Sequence, residues 1–226
     1  MAVTTQSAEH FAAAEFDALL AAHGTPALWR KARGCPCHDP RSGQPELDCG
    51  LCEQGILWDA GTQLTLLAPG RNRKESYEDV GLLMQGMVTL TFPSDRTPGH
   101  LDRVDFLAAL IVVNQERHVR GAVDRQGHSR ERLQMVPVLV ESIEAIVADA
   151  LVAYAFFTDF TVSANGTITW QAGKGPPTDT QYVVRYQARP AYVVWAPQSR
   201  DEGGSKMPYR AMAQRLDFFA PKVAVA

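Results

Sequence analysis

The stretch CPC at residues 35–37, followed by CGLC at residues 49–52, holds all four cysteines of the 226-residue chain. Each close pair can hold one side of a tetrahedral ion, and four thiolates complete its coordination shell. The eleven residues between the pairs are rich in Pro, Gly, Ser and Asp, which is typical of a loop that turns the chain back. The spacing therefore predicts a zinc knuckle over residues 35–55, whose ligands are Cys35, Cys37, Cys49 and Cys52.

A site of this kind is structural, because four thiolates leave no coordination position for water or substrate. Two disulfides are an alternative, although C-x-C and C-x-x-C pairs are short for good disulfide geometry. A redox dithiol or an iron–sulfur site also fits four cysteines. His38 could replace one sulfur, but a solvated loop histidine is the simpler interpretation.

Charged residues of both signs surround the cysteines. Zinc fingers that bind nucleic acid usually carry an excess of Lys and Arg, and here acidic residues offset the basic ones, so nucleic-acid binding through the knuckle is not favoured. The basic residues are Arg30, Lys31, Arg33 and Arg41, and the acidic ones are Asp39, Glu46, Asp48 and Glu53.

The composition is that of an ordinary globular protein, with 46% hydrophobic and 21% charged residues. The formal net charge of −3 argues against a polyanion-binding surface as the main feature. The first seven residues lack the basic and apolar regions of a signal peptide, and the apolar run at residues 143–157 contains Glu144 and Asp149, so we expect no membrane span. Reduced, metal-bound thiols fit a cytoplasm.

Residues 1–34 read as a helical N-terminal arm. A first helix runs from about Glu9 to His23 and ends at Gly24, and Thr25-Pro26 starts a second short helix that closes at residue 34. Neither apolar face is large enough to be stable alone, so the arm should pack on the body or on a neighbour. Trp29 would be its anchor, either as a core contact or as an interface contact.

Beyond residue 55 the pattern changes to strands. Residues 56–132 predict a small β-barrel-like unit, with strands at 63–68 and 87–92, and residues 133–200 predict a β-sandwich-like unit. In the hairpin at residues 160–170, a three-residue loop gives one apolar face by pairing Val162 with Ile168 and Phe160 with Trp170. For residues 139–157, helical and strand periodicities conflict, and local pattern does not decide between them.

Residues 201–226 form a predicted C-terminal extension whose apolar residues need cover, which another subunit could provide. The chain as a whole is thus mainly β with a short helical arm. The candidate interface residues are Trp29, Met212, Leu216, Phe218 and Phe219.

No motif for catalysis is found. The sequence contains no P-loop, no G-x-S-x-G and no H-E-x-x-H, and its six histidines show no metal-ligand spacing. Asp102 and Asp105 could form a carboxylate pair, but near a strand start such residues are usually turn and cap residues. We therefore expect a protein that is not an enzyme. An enzyme whose site lies unrecognised in a β-unit remains a competing class, which a reactive, metal-free cysteine would favour.

The order of short motifs along the chain resembles that of a known class of proteins. After the cysteines come GILW at 55–58, MVTLTFP at 87–93 with DRV at 102–104, and then DFTV, ITW and QYVVRYQARP between residues 159 and 190. Over residues 34–190 the chain resembles structural proteins of tailed-bacteriophage virions, in particular neck (head–tail connector) proteins. The MVTLTFP and DRV part is similar to β-barrel head-closure, or stopper, proteins, and the later part to β-domains that recur in neck and tail proteins.

The resemblance implies a virion subunit, assembled in the bacterial host cytoplasm, that forms a ring of six or twelve copies between portal or adaptor proteins and the tail. DNA would pass through the lumen without sequence-specific binding. The resemblance also favours strands over a helix for residues 136–148. A neutral or acidic lumen would let DNA slide, because each phosphate contact adds affinity. The competing interpretation is a zinc-knuckle adaptor that binds nucleic acid or a regulatory protein.

Within the ring, we expect the arm and the knuckle to dock on a neighbouring ring and residues 208–219 to reach an adjacent subunit. Deleting residues 207–226 should then lower assembly without unfolding the monomer.

Overall fold

The computed structural model describes residues 13–37, 41–45, 49–68, 86–123, 127, 129–198, 201–202, 205–206 and 208–219. The fold is mainly β with a short N-terminal helix, as predicted, and it contains a curled half-barrel sheet. The elements are α1 Ala13–His23, β1 Thr25–Arg30, β2 Ala32–Gly34, β3 Ile56–Trp58, β4 Thr62–Leu66, β5 Met87–Thr91, β6 Arg103–Phe106, β7 Ile111–Val119, β8 Pro137–Val147, β9 Ala150–Tyr154, β10 Phe160–Val162, β11 Ile168–Trp170, β12 Gln181–Ala188, β13 Ala191–Gln198, β14 Asp201–Glu202, β15 Ser205–Lys206, β16 Arg210–Arg215 and α2 Leu216–Phe219.

A six-stranded antiparallel sheet, with strand order β4-β1-β6-β13-β16-β5, gathers strands from nearly the whole chain. All four residues of β6 are buried, as expected for a strand covered on both faces. Leu90, Phe92, Val104 and Phe106 form much of the core against this sheet. The sheet therefore does not correspond to any single one of the predicted segments.

A four-stranded antiparallel sheet has the order β7-β12-β8-β9. Strand β12 alternates as its sequence predicts, and the side chains of Tyr182, Val184, Tyr186 and Ala188 are at most 1% exposed. They pack in a second core that also contains Val193 of β13, whereas the neighbouring Val194 faces the first core. Strand β13 therefore separates the two cores.

The hairpin register is confirmed: Phe160 pairs with Trp170 and Val162 with Ile168, while Gly166 adopts a φ of 85° in the loop. Residues 139–147 and 150–154, in the region that the sequence left open, are strands. They belong to a hairpin in which β8 and β9 pair through the turn at residues 148–149.

The predicted second helix at residues 25–34 is wrong. This segment is β1 and β2, and in β1 Ala27 and Trp29 are buried at every second position. β1 pairs with β4 on one side and β6 on the other, which satisfies its backbone better than an isolated short helix could. Pro26, the expected first helical residue, accepts the N–H of Leu107 at 3.0 Å through its carbonyl oxygen.

Helix α1 agrees with the prediction over the residues that are described, and its expected first turn, residues 9–12, lies outside them. Gly24 donates its N–H to the Leu20 carbonyl at 2.8 Å and ends the helix. Leu20 is 1% exposed, and the Asp17 carboxylate accepts the Ser94 N–H at 2.9 Å. The helix is thus docked on the body of its own chain.

The C-terminal segment is not an appendage. β16 lies between β13 and β5 inside the six-stranded sheet, with Ala211 and Ala213 fully buried. Deleting residues 207–226 would remove an interior strand, so from this position of β16 we expect the deletion to destabilise the monomer as well as any assembly. Among the described residues, neither helix has the length and apolar character that crossing a membrane requires.

Candidate metal centre

A short ladder brings the two cysteine pairs together. β2 pairs antiparallel with β3, the first pair directly follows β2, and the second pair precedes β3. The Cys35 N–H donates to the Gly55 carbonyl at 2.7 Å, which extends this ladder to the first ligand position. The pairing of residues on either side of the loop therefore fixes where the thiols meet.

The four sulfurs lie within 4.8 Å of one another, and the Sγ atoms of Cys37 and Cys52 are 3.5 Å apart. A tetrahedral shell with metal–sulfur bonds of about 2.3 Å has sulfur–sulfur edges of about 3.8 Å. Cys52 is buried and the other three are half-buried. The predicted ligands thus lie close together and could bind a metal ion. We call them the cysteine cluster, which consists of Cys35, Cys37, Cys49 and Cys52.

Backbone amides point at the sulfurs. Burial raises the pKa of Cys49, but the N–H groups of Leu51 and Cys52 donate to its sulfur, and with the neighbouring thiols they lower that pKa below its usual value. Burial raises the pKa of Cys52, and hydrogen bonds with the adjacent thiols raise it further. Crowded sulfurs retain protons unless a cation replaces them, which is the chemistry of a metal site.

The turn that follows the second pair has little room for side chains. Gly55 has a φ of 82°, and a Cβ built on it would lie 2.5 Å from the Cβ of Pro45. Gln54 before it also has a positive φ, 48°. Since glycine alone adopts such a conformation freely, Gly55 lets the chain pass from the cluster into β3.

Side-chain hydrogen bonds tie the knuckle, and the strand β2 that leads into it, to the body. Arg132 approaches the Glu53 carboxylate at 3.4 Å and the Leu51 carbonyl at 3.5 Å. Asp102, 3% exposed, accepts hydrogen bonds from Trp29 Nε1 and from the Ala32 N–H, both at 2.9 Å. Asp102 therefore positions β2, the strand that leads into the first cysteine pair.

The second carboxylate of the candidate catalytic pair also has a structural role. Asp105 accepts Arg30 Nε at 2.8 Å and Arg103 Nε at 2.7 Å. Both arginines line an open cleft of about 430 Å³ between knuckle and body, where Arg132 is the third. Two carboxylates offset most of the charge of these three guanidinium groups: Asp105 is shared by Arg30 and Arg103, and Glu53 pairs with Arg132.

The basic residues of the knuckle are partly engaged as well. The Lys31 ammonium lies 4.2 Å from the Trp29 ring centroid and donates to the Thr97 carbonyl at 3.1 Å. The side chain of Arg33 is exposed. Four predicted loop positions lie outside the described residues, namely His38, Asp39, Glu46 and Asp48.

The candidate interface residues differ in exposure. Trp29 is 6% exposed and packs edge-on against Phe92, so it is a core contact, and Leu216 is fully buried within the chain. Met212 and Phe219 are half-buried. Phe218 is 40% exposed, with the Arg215 guanidinium 4.7 Å from its ring centroid.

Sequence reasoning missed two buried glutamates. Glu131 accepts hydrogen bonds from Trp170 Nε1 at 2.8 Å and Tyr182 Oη at 2.9 Å. Glu116 accepts the Gln134 N–H at 2.8 Å and the Tyr186 hydroxyl. Alternation gave no signal for Glu116, because the phase set by Ile111 and Val113 places it on the outer face and a bulge in β7 turns it inward.

Comparison of the chain with protein-family models and with curated proteins finds no match, so the geometry of the site and the resemblance of its motifs are what bear on function.

Proposed function

We propose that the chain is a non-enzymatic structural subunit of a tailed-phage neck, which forms a ring between portal or adaptor proteins and the tail and lets DNA pass. The cysteine cluster is the observation that supports a structural role for this chain. Its four sulfur ligands all come from one chain and would complete a tetrahedral coordination shell. The neck assignment rests on the order of motifs between residues 34 and 190.

The roles of the buried carboxylates favour a structural subunit over an enzyme. Asp102 and Asp105, the candidate acid–base pair, accept hydrogen bonds from Trp29, Arg30 and Arg103 that hold the strands together. A general acid or base needs a site where substrate can approach, and both side chains are buried among these partners. Their chemistry is therefore used in positioning the knuckle and β1.

The metal in this proposal is zinc. An all-thiolate tetrahedral set suits zinc or an iron–sulfur centre, and zinc, which has no redox chemistry, makes a permanent structural link. We expect one zinc ion per chain, measured by metal analysis of the purified protein, and its loss from a Cys49→Ser/Cys52→Ser double variant. Stoichiometric iron with sulfide would contradict zinc, and two disulfides would contradict a metal site altogether.

A metal link at this place would hold the knuckle against two parts of the body. Through Asp102 the knuckle is joined to the six-stranded sheet, and through Arg132 to the segment before β8. The net charge of −3 is compatible with a lumen through which DNA slides. The description of the two sheets as a barrel-like unit and a sandwich-like unit belongs to the same proposal.

Location in the virion tests the function directly. Tailed particles from the strain that carries the coding sequence would be purified and labelled with antibodies to this chain, then imaged by electron microscopy. We expect label at the junction of head and tail. Absence of the chain from the particles, together with salt-sensitive DNA binding by the purified protein, would overturn the proposal in favour of the nucleic-acid adaptor.

A further inference from the structure

The strand β9 forms an edge of the four-stranded sheet. Within the described part of the chain it pairs only with β8. Residues 150–157 read ALVAYAFF and contain no charged side chain. Natural proteins usually protect such edges with Lys, Pro or a covering segment, because an open edge is a template for another strand. An uncharged edge of this kind is therefore a candidate surface for binding another strand.

The turn before β9 determines which backbone groups point outward. Ala148 and Asp149 have φ values of 49° and 62°, which is the type I′ conformation of a two-residue hairpin loop. The flanking pair Val147–Ala150 is then the hydrogen-bonded pair, and bonding alternates along the strand. The N–H and C=O groups of Leu151 and Ala153 consequently point away from β8, toward an added strand.

The side chains on the outer face of this edge are apolar. Leu151 is 70% exposed, its cross-strand neighbour Ile146 is 68% exposed, and Phe157 is 74% exposed. The exposed Ala153 and Ala155 lie between the large residues. Phe157 has a φ of 65°, an unfavourable conformation for a bulky residue that is often found at functional sites.

The inner face of the same segment fixes its register. Tyr154 and Phe156 pack against the core, and Tyr154 lies edge-on to Trp170 at 5.3 Å. A slip by one residue would turn these aromatic rings to solvent. The outer apolar residues are thus held in place and remain available to a partner.

The other edge of the sheet is β7, which among the described residues pairs only with β12. Neighbouring strands alternate in direction, so β7 and β9 run in opposite directions. A rotation about an axis parallel to the strands places β7 of a second copy antiparallel beside β9. Phe157 then faces Leu110 and Val112, which are 54% and 46% exposed.

We propose that the β9 edge of one subunit binds the β7 edge of a second copy of this chain, so that their four-stranded sheets become continuous. The apolar end of β7 matches Phe157, and no charge on residues 150–157 opposes the contact. A head-to-tail contact of two different edges gives a ring where the rotation between copies closes and an open filament where it does not, whereas a contact of one edge with itself gives a dimer. This inference rests on the proposed ring and names the surface that would build it.

The test uses the full-length, metal-loaded chain and native mass spectrometry over a range of concentrations. One variant, Leu151→Lys/Ala153→Lys, charges the β9 edge, and a second, Leu110→Lys/Val112→Lys, charges the β7 edge. The matched control, Ala18→Lys/Leu19→Lys, changes the same residue types as the β9 variant at exposed positions of α1. Because all these positions are exposed, each variant should fold, which circular dichroism and urea midpoints verify.

We expect the wild type and the control to assemble alike, and each edge variant to associate at least about tenfold more weakly. An equal mixture of the two edge variants should give a discrete heterodimer, since one intact β9 edge and one intact β7 edge remain. A β7 variant that dimerises with itself would show two-fold β9 pairing and overturn the proposal. A β9 variant that assembles like the wild type, or a control that fails equally, would overturn it as well.

Failure of this contact and failure of the proposed function give different results. If the wild type stays monomeric up to about 0.1 mM, where specific interfaces form, the copies do not pair through these edges. The neck assignment is judged separately, by whether antibodies find the chain at the junction of head and tail. Label at the neck with unaltered assembly of the β9 variant would remove only the present inference.

Discussion

The change Glu131→Gln tests whether the buried glutamate stabilises the second core. Glu131 is 5% exposed, and its Oε1 accepts hydrogen bonds from Trp170 at 2.8 Å and Tyr182 at 2.9 Å. Its Oε2 accepts the Gly121 N–H at 3.0 Å and Arg120 Nη1 at 3.4 Å. All four partners are donors, so only a group with two acceptor atoms satisfies them.

Glutamine has one acceptor oxygen and one donor amide. With the amide nitrogen at the Oε2 position, the Gly121 N–H and Arg120 lose their acceptor. With it at the Oε1 position, Trp170 Nε1 loses its acceptor, while the Tyr182 hydroxyl can rotate and accept the amide N–H. Hydrogen bonds to a charged group contribute about 1.5–3 kcal/mol each, and the remaining bonds weaken when the charge is lost. Arg120 is a quarter exposed, so its share is discounted. The expected loss in the free energy of unfolding is about 3 kcal/mol.

Urea unfolding followed by tryptophan fluorescence measures this loss. With a slope of about 2–3 kcal/mol per molar urea, the midpoint should fall by about 1–1.5 M. The control is Glu141→Gln, the same substitution at an exposed carboxylate that pairs with Arg185, and it should leave the midpoint unchanged. If both variants have the same midpoint, the carboxylate does not stabilise the core and the reasoning is refuted.

Three further predictions follow from backbone and side-chain geometry. Gly55→Ala should make the protein lose its metal to a chelator far more readily than Gly43→Ala does. Both glycines have a positive φ, but only Gly55 has a neighbouring side chain where the new Cβ would lie. Equal metal loss from the two variants would contradict this prediction. Burial raises the pKa of Tyr182 and Tyr186, so the folded chain keeps protons that the unfolded chain releases. The free energy of unfolding in urea should therefore be unaffected by these tyrosines below about pH 10 and should fall above it. A free energy of unfolding that stays constant up to about pH 11 would contradict this prediction. Ala148→Gly should raise the free energy of unfolding by about 0.4–1 kcal/mol, because the φ of 49° at residue 148 is unfavourable for alanine and free of strain for glycine. A melting temperature below that of the wild type would argue against strain at this turn.

Local pattern predicted those parts of the fold in which neighbouring residues decide the outcome. The alternation in β12 follows from a strand with one buried face, and the register of the β10–β11 hairpin follows from its loop and its apolar pairs. The cysteine cluster was predictable because two close pairs joined by a turn-forming loop bring four sulfurs together with little help from the rest of the chain.

Other parts depend on partners that are distant in sequence. Thr25-Pro26 carries the local signals of a helix start, yet β1 is a strand because β4 and β6 supply its hydrogen bonds and cover Ala27 and Trp29. Both partners lie more than 30 residues along the chain, so no local window contains them. Tertiary pairing therefore overrides helix propensity at this position.

The C-terminal segment shows the same effect with a consequence for function. Four of its apolar residues, Met212, Leu216, Phe218 and Phe219, were expected to meet another subunit. Leu216 is buried within the chain, whereas Phe218 stays 40% exposed. Ala211 and Ala213 of the same segment are buried where β16 pairs with β13 and β5. Hydrophobicity indicated that this segment needs cover without indicating which surface provides it. The described residues whose apolar side chains stay most exposed lie instead at the β9 edge, at Leu151 and Phe157. The contact that we propose between copies of the chain therefore lies at that edge, whereas β16 belongs to the chain's own six-stranded sheet.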